Sequence, residues 1–277
     1  MTIKTYTRRS VASNAVVTGL GVRSGLQITV TIEPAGVGHG IVISRSDTGL
    51  SWPADLAHVV ALPACSSIGD EHCRVDFVEH LMAALWGAEV TDALISIDGP
   101  EVPLLDGSAL PFFHAISEAG VTGLEGEVDA LIPSEPIFSL GDDRALIVLP
   151  AASPRFSYSL VHPHSLIGHQ FADFHAATDN FGEWAAPART FATWPELSAL
   201  QQAGLLKEGS DENCLIVFDD HMSAEPFAAN AMARHKLLDM LGDLYLTGRP
   251  LCAHVIGYKT GHADNRALAA KILEVCG

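Results

Sequence analysis

Two octets of the sequence decide the fold: His80-Leu-Met-Ala-Ala-Leu-Trp-Gly87 and His235-Lys-Leu-Leu-Asp-Met-Leu-Gly242. Each combines a leading histidine, helix-forming apolar residues and a glycine at the eighth position. We expect the first helix, Val78–Trp86, to end at Gly87, and the second, Ala229–Leu246, to end before Gly248 and Pro250. A strand-like stretch follows each octet, at Ala93–Ile97 and at Ala253–Tyr258. The repeat therefore predicts two related α+β halves, each with a helix that precedes a strand.

The length and the remaining patterns fit two domains. The chain has 277 residues, enough for two domains that each bury a core. The segment 121–135 is acidic and rich in turn residues, so we expect domains at 1–125 and 126–277. The periodicity also predicts helices at Pro111–Ala119, Pro195–Gln202 and Ala263–Val275.

The first 32 residues carry four basic residues and no acidic residue, a composition that a transit peptide also has. Strand-like stretches at Ala15–Val17 and Gln27–Ile32 flank glycine-rich turns. We therefore expect this segment to form the first strands of the fold.

The charge of the chain excludes several partner classes. With 16 basic and 33 acidic residues, the net charge is −17. Both halves are acidic, which argues against nonspecific binding to nucleic acid, because that binding depends on many phosphate contacts. It argues equally against a polybasic membrane patch, but a few local lysines can still hold a small anionic substrate.

The cysteines and the hydropathy indicate a cytoplasmic protein without a membrane span. The five cysteines are scattered and form no C-x-x-C pair, which favours a reducing compartment. No apolar run approaches the roughly 18–20 residues of a transmembrane helix. We expect no stable membrane insertion.

The sharpest chemical pattern is His235-x3-Asp239-x3-Asp243, whose spacing of four places the side chains on one helix face. A histidine and a carboxylate at that spacing can bind one metal ion. A solvated polar face with a chance histidine has the same pattern, so this helix alone leaves both interpretations open.

Two further histidine motifs are ambiguous when each is taken alone. Glu79 and His80 are helix neighbours that point in different directions, so one can bind metal while the other acts on water; an ordinary amphipathic helix is the alternative. His262 lies between a strand and a helix, where loop residues often face a cleft, although a surface loop explains it equally.

Five motifs follow one another over nearly the whole chain: Phe77–Leu85, Pro100–Ser108, Ala188–Phe191, Arg234–Asp239 with Gly242–Leu244, and Tyr258–His262. Together they resemble the UDP-3-O-acyl-N-acetylglucosamine deacetylase family of lipid A biosynthesis. The resemblance implies an α+β fold of two similar domains, each with a mainly antiparallel sheet and two helices. The helices are then sandwiched between the two sheets, and small inserts fall near residues 60–75 and 191–216.

The resemblance also implies a metal centre. His80, His235 and Asp239 are expected to bind one catalytic Zn²⁺, and Fe²⁺ can use the same two-histidine, one-aspartate set. Three protein ligands leave a fourth position for water, as catalytic zinc requires.

Four further residues acquire catalytic roles from the resemblance. Glu79 is the expected general base, and Thr190 the expected donor to the developing oxyanion. His262 is expected to stabilise that charge as an imidazolium and to protonate the leaving amine, while Asp243 orients His262 and raises its pKa.

The resemblance implies that the protein binds a UDP-linked acylated amino sugar. We expect it to be a monomer. Lys236 and Lys259 resemble phosphate contacts, and Arg144 stands near a further basic position of the family. The residues expected to line or support an apolar passage for the acyl chain are Phe191, Trp194, Leu197, Leu200, Cys214 and Ile216; plain core packing is the alternative for most of them.

Some positions depart from the family pattern. Arg23 stands where the family usually has histidine, Phe77 stands for the common threonine, and the stretches 192–195 and 228–233 are unusual. None of these removes a proposed metal or proton-transfer residue. They leave open the length of the substrate's acyl chain. One alternative function is that of a divergent paralogous metal-dependent amidase acting on another N-acetylated sugar or sugar nucleotide. The other alternative is a noncatalytic binding protein.

Overall fold

The structure, a computed structural model, describes residues 4–62 and 64–277; Pro63, within the first predicted insert, lies outside the described residues. The elements of the first half are, in chain order, β1 (Thr5–Val11), β2 (Ala15–Leu20), β3 (Gln27–Pro34), β4 (Ile41–Arg45), β5 (Leu50–Pro53), β6 (Val59–Ala61), β7 (Ser66–Gly69), β8 (Arg74–Asp76), α1 (Glu79–Gly87), β9 (Ala93–Ile97) and α2 (Leu110–Ala119). A short 3₁₀ helix, Leu56–His58, precedes β6.

In the second half, as in the first, several strands precede the central helix, which here is α5. Its elements are β10 (Val121–Asp129), β11 (Ile137–Leu140), β12 (Ala145–Pro150), β13 (Arg155–Val161), β14 (His169–His175), α3 (Phe181–Trp184), β15 (Phe191–Thr193), α4 (Trp194–Gln202), β16 (Leu215–Val217), α5 (Ala231–Tyr245), β17 (Ala253–Tyr258) and α6 (His262–Cys276). The five helices predicted from periodicity and the repeat are present.

The two large sheets have the same topology. The first has the strand order β2-β3-β9-β4-β5, and the second has the order β11-β12-β17-β13-β14. In each sheet the strand that follows the central helix lies in the middle and makes the one parallel pairing, β9 with β4 and β17 with β13. All other neighbours are antiparallel. The α+β fold class is confirmed, and the sequence repeat corresponds to this duplicated topology.

The helices fill the space between the sheets. Helix α2 packs on β2, α5 packs on β13 and β14, and α1 contacts α5 at the centre. This contact is close because position 242 is glycine: a Cβ there would lie 2.0 Å from the carbonyl oxygen of Glu79. The missing side chain lets the start of α1 approach the C-terminal part of α5.

Both predicted insert regions form small substructures beside the helices. Strands β6, β7 and β8 make a three-stranded sheet within the first. In the second, β15 and β16 pair in parallel, and α4 lies between them in the chain. Thr193 caps α4, because its Oγ1 accepts from the backbone N of Glu196 and its own N donates to Glu196 Oε2 at 2.8 Å.

Two of the local predictions need correction. The prediction of turns at 121–135 is wrong for residues 121–129, because this segment forms β10 and pairs with β1. Its glycines and acidic residues have low strand propensity, but pairing with a partner strand outweighs propensity. The stretch 162–188, interpreted as loop with an uncertain strand, contains β14 and α3. The domain boundary itself stays a prediction.

The N-terminal segment follows the strand prediction, since β1, β2 and β3 occupy most of residues 5–34. The longest helices, α5 and α6, have 15 residues each, and within the described ranges no helix meets the length and hydropathy of a bilayer span.

Candidate metal and catalytic site

Helices α1 and α5 bring three predicted metal ligands together. His80 lies in the first turn of α1, and His235 and Asp239 lie one turn apart on α5. Asp239 Oδ1 is 3.5 Å from His80 Nε2 and 3.4 Å from His235 Nε2. The ligand atoms of the three residues all lie within 4.8 Å of one another, and all three residues are buried. The spacing of four on α5 therefore does place both side chains toward one point.

The chemistry of this group fits a divalent metal ion. Asp239 Oδ1 is buried and has no hydrogen-bond partner in the part of the chain that the structure describes. A tetrahedral ion with ligand distances of roughly 2.0–2.1 Å holds its ligands about 3.4 Å apart, which is close to the separations here. His235 Nδ1 lies 3.1 Å from the carbonyl oxygen of Ala188 and donates to it, so that the lone pair of Nε2 faces Asp239.

The ionisation states also suit metal binding, which needs neutral imidazole and ionised carboxylate. Burial lowers the pKa of His235 to about 3, although Asp239 opposes the shift. Burial acts in the opposite sense on Asp239, but His235, Lys236 and His262 together hold the pKa of that carboxyl well below its usual range. At neutral pH, His235 is therefore a neutral imidazole and Asp239 an ionised carboxylate.

Glu79 lies beside this group as a buried carboxyl. Its Oε2 accepts a hydrogen bond of 2.9 Å from the backbone N of Ser66, and its Oε1 lies 3.9 Å from His262 Nε2. Burial raises the pKa of Glu79, while His262 and His80 oppose the shift. A carboxylate whose pKa is raised toward the working pH is a better proton acceptor.

His262 begins α6 and is held by Asp243 from α5. His262 Nδ1 lies 2.9 Å from Asp243 Oδ2, which also accepts from Asn265 Nδ2 at 2.8 Å. Burial alone lowers the pKa of His262, but Asp243, Glu79 and Asp239 outweigh it and raise the pKa to about 9. His262 is therefore an imidazolium at neutral pH, with Nε2 directed toward Glu79 and Asp239.

These groups open into one cavity of about 350 Å³. Eleven of the predicted residues line it: Glu79, His80, Thr190, Phe191, Leu197, Leu200, Cys214, His235, Lys236, Asp239 and His262. Its apolar wall comes from both halves of the chain, with Val22, Phe77 and Leu104 from the first and Leu197, Leu200, Leu206 and Cys214 from the second. A polar, ionised end and an apolar wall suit a ligand with both characters.

Comparison with known proteins decides the family. The sequence model described as UDP-3-O-acyl N-acetylglycosamine deacetylase matches residues 8–274. The chain belongs to this deacetylase family. The resemblance inferred from the five motifs is thereby confirmed.

Relatives in the deacetylase family match over almost their whole length. A UDP-3-O-acyl-N-acetylglucosamine deacetylase of Myxococcus xanthus is 36% identical over 273 residues, 97% of this chain and 87% of the relative. Those of Chlamydia abortus and Synechocystis are also 36% identical, each over 93% of this chain and over 93% and 95% of the relative.

In this deacetylase-family chain, the Pro100–Ser108 motif holds Thr190 at the cavity. Its backbone N donates to the carbonyl oxygen of Gly107 at 2.7 Å. Gly107 has a φ of 87°, and a Cβ there would lie 2.4 Å from the carbonyl oxygen of Asn213, so only glycine fits. The neighbouring Arg189 donates to the carbonyl oxygen of Asp106 at 2.6 Å. These contacts hold the Pro100–Ser108 and Ala188–Phe191 segments side by side.

The predicted phosphate contacts lie in different surroundings. Lys236 Nζ is 2.6 Å from Asp239 Oδ2, at the cavity. Lys259 and Arg144 do not line this cavity. Lys259 Nζ is 2.6 Å from Asp143 Oδ2, and Arg144 Nη1 is 3.4 Å from Asp264 Oδ2. All three cations are thus paired with carboxylates.

Two of the predicted passage residues lie elsewhere in the structure. Trp194 is 45% exposed, stacks on Phe218 and does not line the cavity. Ile216 is buried in β16 and does not line the cavity. Their part in binding an acyl chain stays a prediction.

Sequence reasoning missed Ser66 and Asn265, which donate to Asp243, and Arg266, which donates to Ser66. No motif marks them, because serine, asparagine and arginine near a helix start are common on protein surfaces. The sequence also contains no sign that two departures from the family pattern, Arg23 and Phe77, are in contact. The guanidinium of Arg23 lies 5.1 Å from the ring centroid of Phe77, a cation–π contact, and Phe77 lines the cavity.

A larger cavity, about 560 Å³, lies away from the candidate ligands. It is lined by Trp86 and Gly87 at the end of α1 and by Tyr245 at the end of α5, whereas His80 and His235 lie near the helix starts. It contains none of the predicted site residues. The smaller cavity is therefore the candidate site, because chemistry and not size distinguishes it.

Proposed function

We propose that this chain hydrolyses the N-acetyl group of UDP-3-O-acyl-N-acetylglucosamine, the substrate in the names of its relatives. One observation supports this most strongly. Among residues 4–62 and 64–277, the buried oxygen Asp239 Oδ1 has no hydrogen-bond partner, and it lies within 3.5 Å of both His80 Nε2 and His235 Nε2. Asp239 lines the same cavity as Glu79 and His262.

The proposed metal ligands are His80, His235 and Asp239, with Zn²⁺ as the ion. The chemistry that such an ion supplies is polarisation of the amide carbonyl and a lowered pKa for water. Fe²⁺ can occupy the same ligand set, so metal content of protein purified without oxygen distinguishes the two.

Two protein side chains are then proposed to transfer protons, one as acceptor and one as donor. Glu79 accepts a proton from the water whose oxygen bonds to the acetyl carbon. When the C–N bond breaks, the amine nitrogen takes a proton from His262 Nε2, and the products are acetate and the free amine. His262 suits this role because its pKa is raised to about 9, after the opposing effect of burial, by Asp243, Glu79 and Asp239.

The developing oxyanion needs positive or polar partners. The Thr190 hydroxyl is the proposed hydrogen-bond donor, and the His262 imidazolium is the proposed charge partner. Both residues line the same cavity as the proposed ligands.

The rest of the substrate is assigned to the cavity surroundings. Lys236, Lys259 and Arg144 are the proposed contacts for the diphosphate. Phe191 and Trp194 are proposed to contact the acyl chain together with the apolar wall. We further propose that the protein acts as a monomer in the cytoplasm, with its five free cysteines in the reduced state.

The test is acetate release from UDP-3-O-acyl-N-acetylglucosamine by zinc-loaded protein. Turnover that disappears on chelation and returns with Zn²⁺ supports the proposal. No turnover by protein that demonstrably holds zinc contradicts it.

A second candidate is a related amidase that acts on another N-acetylated sugar or sugar nucleotide. The contact between Arg23 and Phe77 favours it, because both residues depart from the family pattern and Phe77 lines the cavity. A panel of N-acetyl sugars and sugar nucleotides with different 3-O-acyl lengths separates the two candidates by kcat/KM.

A further inference from the structure

Ser66 connects the two carboxylates of the proposed proton-transfer machinery. Its backbone N donates to Glu79 Oε2 at 2.9 Å, and its hydroxyl donates to Asp243 Oδ1. Ser66 lies in β7 of the first insert region, whereas Asp243 lies 177 residues later on α5. It is fully buried, so water does not replace either hydrogen bond.

Arg266 supplies a buried positive charge to the same point. Its Nη1 donates to Ser66 Oγ at 3.0 Å and to the carbonyl oxygen of Cys65 at 3.1 Å, and its Nη2 donates to the carbonyl oxygen of Leu62 at 3.2 Å. Arg266 is only 9% exposed, and no carboxylate of residues 4–62 or 64–277 lies within ion-pair distance of it. The hydroxyl of Ser66 therefore bridges a buried cation and a buried anion.

The direction of this chain of hydrogen bonds is fixed. An arginine can only donate, so Ser66 Oγ accepts from Arg266 and must direct its own proton to Asp243. Asp243 Oδ1 is thereby occupied, and Oδ2 accepts from His262 Nδ1 and from Asn265. The carboxylate cannot rotate without breaking one of these contacts, and the imidazole of His262 is held with Nε2 toward Glu79.

We propose that Ser66 and Arg266 are positioning residues that hold Glu79 and the Asp243–His262 pair in register across the two halves of the protein. This inference rests on the proposed function, in which Glu79 accepts one proton and His262 donates the other. Ser66 acts through both carboxylates and does not line the cavity.

The chain offers a matched control in the next residue. Ser67 lies on the same strand, is equally buried, and donates through Oγ to Asp76 Oδ1 at 2.8 Å. Asp76 is a buried carboxylate outside the proposed machinery. Ser66→Ala and Ser67→Ala thus each remove one buried hydroxyl-to-carboxylate hydrogen bond from the same small sheet.

The kinetic experiment compares both variants at equal metal content. We expect Ser66→Ala to lower kcat about 10- to 100-fold, the range that loss of a hydrogen bond to a charged group allows, with KM within about twofold. Ser67→Ala should keep kcat, although its thermal midpoint, like that of Ser66→Ala, should fall. Ser66→Cys, which fills nearly the same space with a weaker donor, should give an intermediate kcat.

A second readout does not depend on the substrate. In ¹H–¹⁵N spectra of the metal-loaded protein, the Nδ1–H of His262 should give a downfield resonance from its hydrogen bond to Asp243. We expect Ser66→Ala to shift or broaden it and Ser67→Ala to leave it unchanged.

The outcomes separate the inference from the function on which it rests. Ser66→Ala with wild-type kcat, or with an unchanged His262 resonance, overturns the positioning role even if the wild type is an active deacetylase. If Ser66→Ala shows the expected spectral change but the wild-type protein releases no acetate, the positioning role is supported and the proposed function is contradicted.

Discussion

His262 Nδ1 lies 2.9 Å from Asp243 Oδ2, although 19 residues separate them in the chain. The contact joins the start of α6 to the buried face of α5 and gives the His262 imidazolium a nearby negative charge. Burial alone lowers the pKa of His262; Asp243, with Glu79 and Asp239, reverses the sign of the shift and raises it to about 9. A histidine that remains protonated above pH 7 can serve as a general acid under ordinary conditions.

The pH dependence of activity follows from this pair. His262 must be protonated to act as an acid, so kcat/KM should fall as the pH rises through its pKa. Asp243→Asn removes a charge that raises this pKa, so the alkaline limb should move to lower pH. Profiles of kcat/KM between about pH 6 and 10 measure the shift. An alkaline limb at the same pH in both proteins contradicts the assignment of that limb to His262.

Glu79→Gln tests the proposed general base with little change in shape. The amide cannot accept the proton of the attacking water, so kcat should fall about 10²- to 10⁴-fold. Metal content should stay at the wild-type level, because the proposed ligands are His80, His235 and Asp239. Retained activity in the metal-loaded variant argues for a noncatalytic role of Glu79 and for the binding-protein alternative.

Metal removal tests the ligand set directly. A chelator should abolish acetate release, and His235→Ala should reduce bound metal to a small fraction of about one ion per chain. Apo protein should also melt at a lower temperature, since an ion that binds only the folded state stabilises it. Metal analysis and thermal unfolding measure both effects. A His235→Ala protein with full metal content excludes this ligand set.

The sequence predicted the candidate metal ligands but not the residues that position the groups beside them. A spacing of four on one helix is enough to bring His235 and Asp239 to one face, because helix geometry is local. The contact of Ser66 with Asp243 depends on the packing of an insert against a helix 177 residues away, which no local pattern encodes. The same limit explains β10, whose strand conformation depends on β1 and not on its own glycines and acids.

Excess zinc should inhibit the enzyme. Glu79 Oε1 and His262 Nε2 are 3.9 Å apart, close enough to share a second ion as ligands. Such an ion would block both the proton acceptor and the proton donor. Activity of apo protein titrated with Zn²⁺ should therefore rise to about one equivalent and then fall. A rise to a plateau, with no decline at higher zinc, contradicts a second, inhibitory position.

The ion pair between Lys259 and Asp143 predicts a small but specific effect on substrate affinity. Lys259 Nζ lies 2.6 Å from Asp143 Oδ2, so a phosphate must compete with this carboxylate for the lysine. Asp143→Asn should lower KM for the UDP substrate about two- to fivefold and leave kcat unchanged, a modest effect because Asp143 is 64% exposed and exposed pairs are weak. The matched control is Asp142→Asn, which removes the same charge from a neighbour that makes no ion pair with any of the described residues. If both variants lower KM equally, the cause is net charge, and the specific competition at Lys259 is excluded.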